Sequence, residues 1–77
     1  METYYIQTKD PVVMEFVMQM ANRKKAVLFT GLPQGFISTH YDSLLIYNKY
    51  LNKYTQYSGR DDIIKYVRDD QFKIPVH

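Results

Sequence analysis

Apolar and polar positions change their period several times along this chain, and each change marks an expected element. Thr3 to Thr8 (TYYIQT) is β-branched and aromatic with partial alternation, which predicts a first strand. Asp10-Pro11 ends it, since aspartate suits a helix N-cap and proline the first helical turn. The following VVMEFVMQMANRKK reads as a helix. Glu15, Gln19 and Asn22 form its polar stripe. The rest of its circumference is apolar enough to require cover on more than one side, from a sheet and another helix or from a second copy.

Ala26 to Thr30 (AVLFT) is a short continuous apolar run, the pattern of a buried central strand. Gly31-Leu32-Pro33-Gln34-Gly35 has the composition of a turn, and Phe36-Ile37-Ser38 is expected to return as a strand, making a hairpin. Thr39 then resembles an N-cap with Asp42 reaching back, and the helix it opens is expected to run to about Ser58. Within it Tyr47, Tyr50, Tyr54 and Tyr57 recur at the spacing of one helical face, while Lys49, Asn52, Lys53 and Gln56 turn away. Ser58 is expected to cap a further helix to about Asp69, with Asp61 and Asp62 in its first turn and Ile63, Ile64 and Val67 inward. Gln71 to Ile74 (QFKI) predicts a last strand ended by Pro75. The expected order is β-α-β-β-α-α-β, an α+β fold with a short, mainly antiparallel sheet packed against helices.

Length confines this to one domain over residues 1–77, and a chain of 77 residues buries only about 60% of its unfolded surface. With no cysteine, packing or self-association must hold it together. A hydrophobic content of 45% is too high for a disordered chain. No apolar run approaches the ~20 residues that cross a bilayer, and METYYIQT lacks the basic start and apolar stretch of a signal peptide, so the expected location is the cytoplasm. The net charge of +2 is modest, yet Arg23, Lys24, Lys25, Lys49, Lys53 and Arg60 are clustered along the chain, as are Asp61, Asp62, Asp69 and Asp70 near its end.

Candidate chemistry is sparse. His40 and Asp42 stand two apart, and the second histidine is terminal, so no spacing supplies a nucleophile with a base or a metal-ligand set. The GLPQG loop lacks the Gly-Lys-Ser/Thr ending of a phosphate loop. The paired aspartates would lie ~12 Å apart along a helix, too far to share a cation. The expectation is a non-enzymatic protein with no cofactor, metal, membrane or small-molecule ligand. Its function is then regulatory or protein-binding, through the aromatic face bearing Tyr47, Tyr50, Tyr54 and Tyr57, with self-association included. The alternative is weak nucleic-acid binding through Arg23, Lys24, Lys25, Lys49, Lys53 and Arg60. Small size without a standard motif also fits accessory proteins encoded by phages or mobile elements, an association rather than a physical deduction.

Overall fold

The structure, a computed structural model, describes residues 2–72. The elements are β1 (Thr3–Gln7), α1 (Pro11–Lys24), β2 (Val27–Thr30), β3 (Ser43–Asn48), β4 (Lys53–Ser58) and α2 (Arg60–Phe72). The fold is α+β, in the order β-α-β-β-β-α. One sheet has the strand order β2-β1-β3-β4. β1 pairs parallel with β2 through the α1 crossover, whereas β1–β3 and β3–β4 are antiparallel.

The first half follows its local chemistry. The Asp10 carboxylate accepts the Val12 N–H at 2.9 Å, and Pro11 occupies the first turn. α1 ends where Lys25 enters the left-handed region at φ 54 and its N–H reaches back to the carbonyls of Ala21 and Asn22. Val13, Val17, Met20 and Ala21 are buried, and cover comes from the sheet on one side and α2 on another. Val12 and Met18 remain exposed.

The core lies between the two helices and one sheet face. Tyr4 and Ile6 of β1, Leu44 and Ile46 of β3, and Ile63 and Val67 of α2 meet the α1 residues there. Tyr4 is fully buried, yet its hydroxyl donates to the Glu2 carboxylate, which also faces Lys24 at 3.8 Å. At the other end Arg60 meets Asp10 at 3.2 Å, tying the start of α2 to the cap of α1.

The tyrosine-rich segment is a β-hairpin, not the expected helix from Thr39 to Ser58. Its strands carry the strand-favouring Ile46, Tyr47, Tyr54, Thr55 and Tyr57, and two asparagines make its turn. Asn48 Oδ1 accepts the N–H groups of Tyr50 and Leu51, and Asn52 takes φ 50, a conformation asparagine tolerates. AVLFT is a strand but lies at the sheet edge rather than its centre, because the α1 crossover returns it parallel to β1. Phe36-Ile37-Ser38 forms no strand, so the expected AVLFT/GFIS hairpin is absent. Residues 31–42 run irregularly instead. Gly59, not Ser58, caps α2: its carbonyl accepts the Ile63 N–H at 3.2 Å. Gln71 and Phe72 extend α2 beyond Asp69 rather than opening a strand, and the rest of that expected strand, residues 73–74, with the Pro75 expected to end it, lies outside the described residues.

Candidate functional site on the open sheet face

Both helices lie against one face of the sheet, and strand alternation therefore sends a second set of side chains to the other face. Register identifies them. One cross-strand row is Phe29, Tyr5, Leu45 and Gln56, and the next is Val27, Thr3, Tyr47 and Tyr54. Tyr5 and Phe29 stack with ring centres 5.3 Å apart, and Tyr47 and Tyr54 lie 4.8 Å apart. Phe29 is 50% exposed and Tyr54 48%.

The segment 31–42 crosses part of this face. The Ser38 hydroxyl lies 2.7 Å from that of Ser43 on β3 and accepts from the Gln56 amide at 3.4 Å, while the Phe36 ring sits 6.3 Å from Tyr54. Its end is fastened by the Thr8 hydroxyl, which donates to the Asp42 carboxylate, and by the Gly59 N–H, which donates to the Asp42 carbonyl at 2.9 Å. Leu45 is fully buried although it faces away from both helices. The β3–β4 half is thus partly roofed and the β1–β2 half is open. An open groove of about 370 Å³ lies beside the roof, lined by Gln7, Gly31, Leu32, Phe36, Ile37 and Ser38.

The four tyrosines first grouped on a helix are separated. Tyr47 and Tyr54 are on the open face, and the Tyr47 hydroxyl donates to Asn52 Oδ1 at 2.7 Å. Tyr50 stands at the hairpin tip, 92% exposed. Tyr57 faces the opposite way and stacks on Tyr66 of α2 at 4.3 Å. Tyr5, Phe29, Val27, Leu45 and Phe36 were missed as members of the site. Their signal was legible: TYYIQ and VLFT carry large side chains at both odd and even positions, so each strand has two apolar faces.

The basic residues gather better than their spacing suggested. Thr3, Val27 and Tyr47 share one end of the sheet by register. Arg23, Lys24 and Lys25 just precede β2, Lys49 lies in the hairpin turn after Tyr47, and Lys53 opens β4 on the helix side, so these cations flank that same end. Arg60 sits at the opposite end with Asp10.

His40 is exposed on the irregular segment, where its backbone N–H and carbonyl serve Ser38 and Ser43. Asp42 holds Thr8 rather than His40. Among the described residues no three His, Cys, Asp or Glu side chains converge on a metal-sized point, and no helix is long and apolar enough to cross a membrane. A hollow of about 250 Å³ where β1 and β2 end is lined by Thr8, Lys9, Thr30, Gly31 and Tyr41, with Lys9 5.5 Å above the Tyr41 ring. Ligand pockets usually enclose about 300–1,000 Å³. Comparison with known proteins gives no match to any family model, curated protein or solved structure.

Proposed function

We propose that this is a non-enzymatic binding protein whose open sheet face docks a protein partner. The supporting observation is that Tyr5, Phe29, Tyr47 and Tyr54 stand on the face that neither helix covers, with Phe29 and Tyr54 half exposed. Aromatic side chains offer large, stiff contact area and concentrate the energy of protein interfaces. The partner that fits is a surface presenting apolar side chains beside acidic ones, the latter meeting Lys25 and Lys49 at the basic end. The role is regulatory or scaffolding, since the face offers contact without a reaction centre.

Single-stranded nucleic acid is the second reading, favoured by the cations that flank the Tyr47–Tyr54 end. Protein fits better because the rings already stack on one another across the strands, leaving less ring face for bases. A net charge of +2 also supplies little long-range attraction for phosphates.

The test is quantitative capture by the tagged full chain from source-cell extract, with and without nuclease and across a salt series, followed by the mass of the complex in solution. The expected result is one protein held at fixed stoichiometry, nuclease-resistant, and weakened at least tenfold by Phe29→Ala or Tyr54→Ala. Binding indifferent to both substitutions overturns the site. A nuclease-sensitive complex that dissolves steeply with salt replaces the protein partner with nucleic acid.

A further inference from the structure

The geometry points to a second copy of this chain as the occupant of the β4 edge, with which no described residue pairs, forming a two-fold dimer with one continuous eight-stranded sheet. This interaction is independent of what binds the open face. β4 is one of the two edges of the sheet, and it is six residues long without proline or glycine. Lys53, Tyr54, Thr55 and Gln56 are all exposed. Native edges are normally blunted by bulges, prolines, short length or charge, and on β4 the one such device is Lys53 at its start, a charge that an acidic partner group would neutralise. The opposite edge, β2, has four residues.

Charge says which strand completes β4. The start of β4 is basic, with Lys49 in the turn and Lys53 as its first residue. Beyond its end come Asp61 and Asp62, in the first turn of α2, while Arg60 is engaged by Asp10. An antiparallel pairing of β4 with itself therefore lays the basic start of each copy beside the acidic finish of the other, twice by symmetry. A parallel pairing would instead set lysine against lysine.

The pleat makes this specific to residues. A two-fold axis perpendicular to the sheet, passing through paired Thr55 or paired Gln56, keeps like faces together. Lys53 shares the helix-side parity of Tyr57, which stacks on Tyr66. Asp62 lies one turn before Tyr66 on that same side of α2, beneath β4. Lys53 of one copy is thus directed toward Asp62 of the other. The two open faces end up on the same side of the joined sheet, doubling the aromatic surface available to a partner.

A ladder using five of the six β4 residues, with two ion pairs, is a small interface, so the dimer dissociates on dilution. Sedimentation velocity of the full chain over a hundredfold concentration range is the test, with far-UV circular dichroism confirming that each variant is folded. The expected mass rises from 9.2 kDa toward twice that value with concentration. Lys53→Glu and Asp62→Lys each weaken association tenfold or more, and the Lys53→Glu/Asp62→Lys double variant recovers it. Phe29→Ala leaves it unchanged, which separates this contact from the open-face site. A monomer at every concentration overturns the proposal. So does a dimer that ignores both charge reversals or is lost with Phe29→Ala.

Discussion

The two faces of one sheet do different work with the same strands. On the helix side Tyr4, Ile6, Leu44 and Ile46 close against α1 and α2 and lose nearly all contact with water. On the other side Tyr5, Phe29, Tyr47 and Tyr54 are larger and all aromatic, yet among the described residues their cover is one another and the crossing segment. Burial on the first face supplies the hydrophobic stabilisation, whereas retained exposure on the second keeps surface for an intermolecular contact. Hydrophobicity alone therefore does not distinguish core from interface. Which face the helices choose does.

The sharpest way to break this contrast is at adjacent residues of β3. Leu44 faces the helices and Leu45 the opposite side, and both are fully buried. Leu44→Ala is expected to lower unfolding free energy by about 2–5 kcal/mol, because the cavity opens between rigid layers. Against the ~5–15 kcal/mol typical of whole domains, that is a large fraction. Leu45→Ala should cost less, about 2 kcal/mol, since its roof is an irregular segment able to settle into the space. Urea titration measures both. Equal losses would make the 31–42 crossing as rigid as the helices and dissolve the distinction between the faces.

The sequence made one side of this contrast much easier to read than the other. Asp10-Pro11, the polar stripe of Glu15, Gln19 and Asn22, and the basic last turn specify α1 by local rules, and the structure follows them. Ile63 and Val67 were legible as the buried face of α2 for the same reason. The tyrosine segment carries two patterns at once. Tyr47, Tyr50, Tyr54 and Tyr57 keep helical spacing, but the β propensity of LLIY and KYTQY and the turn chemistry of Asn48 and Asn52 decide the outcome. Once that segment is extended, parity rather than helical angle assigns the faces, so Tyr54 and Tyr57 part company. The site itself was half visible: Tyr47 and Tyr54 were named for it, whereas Tyr5 and Phe29 show locally only as second apolar faces of their strands and are brought beside them by the long-range β1–β3 and β1–β2 pairings.

Tyr54 and Tyr57 turn that parity into a paired measurement. Tyr57→Ala removes the ring stacked on Tyr66 and should cost about 1–2 kcal/mol from the lost aromatic pair and its burial, with partner capture unchanged under folding conditions. Tyr54→Ala should cost under about 1 kcal/mol, as expected of a half-exposed side chain, while reducing capture at least tenfold. Thermal melts and a binding titration on both variants give a two-by-two outcome. If Tyr57→Ala abolished capture in a folded protein, the functional surface would lie on the helix side of β4 instead.

Tyr50 is the smallest and most discriminating case. It belongs to neither face, standing at the tip of the β3–β4 hairpin with its turn held by Asn48 and Asn52 rather than by its own ring. Tyr50→Ala is therefore expected to shift stability by no more than about 0.5 kcal/mol. Its backbone N–H, which completes the turn, survives the substitution. Any loss of partner affinity in this variant would reflect direct contact rather than a weakened fold, and would extend the binding surface past the Tyr47–Tyr54 pair toward Lys49. Unchanged affinity would end the surface at that pair and leave the tip as a solvent-facing turn.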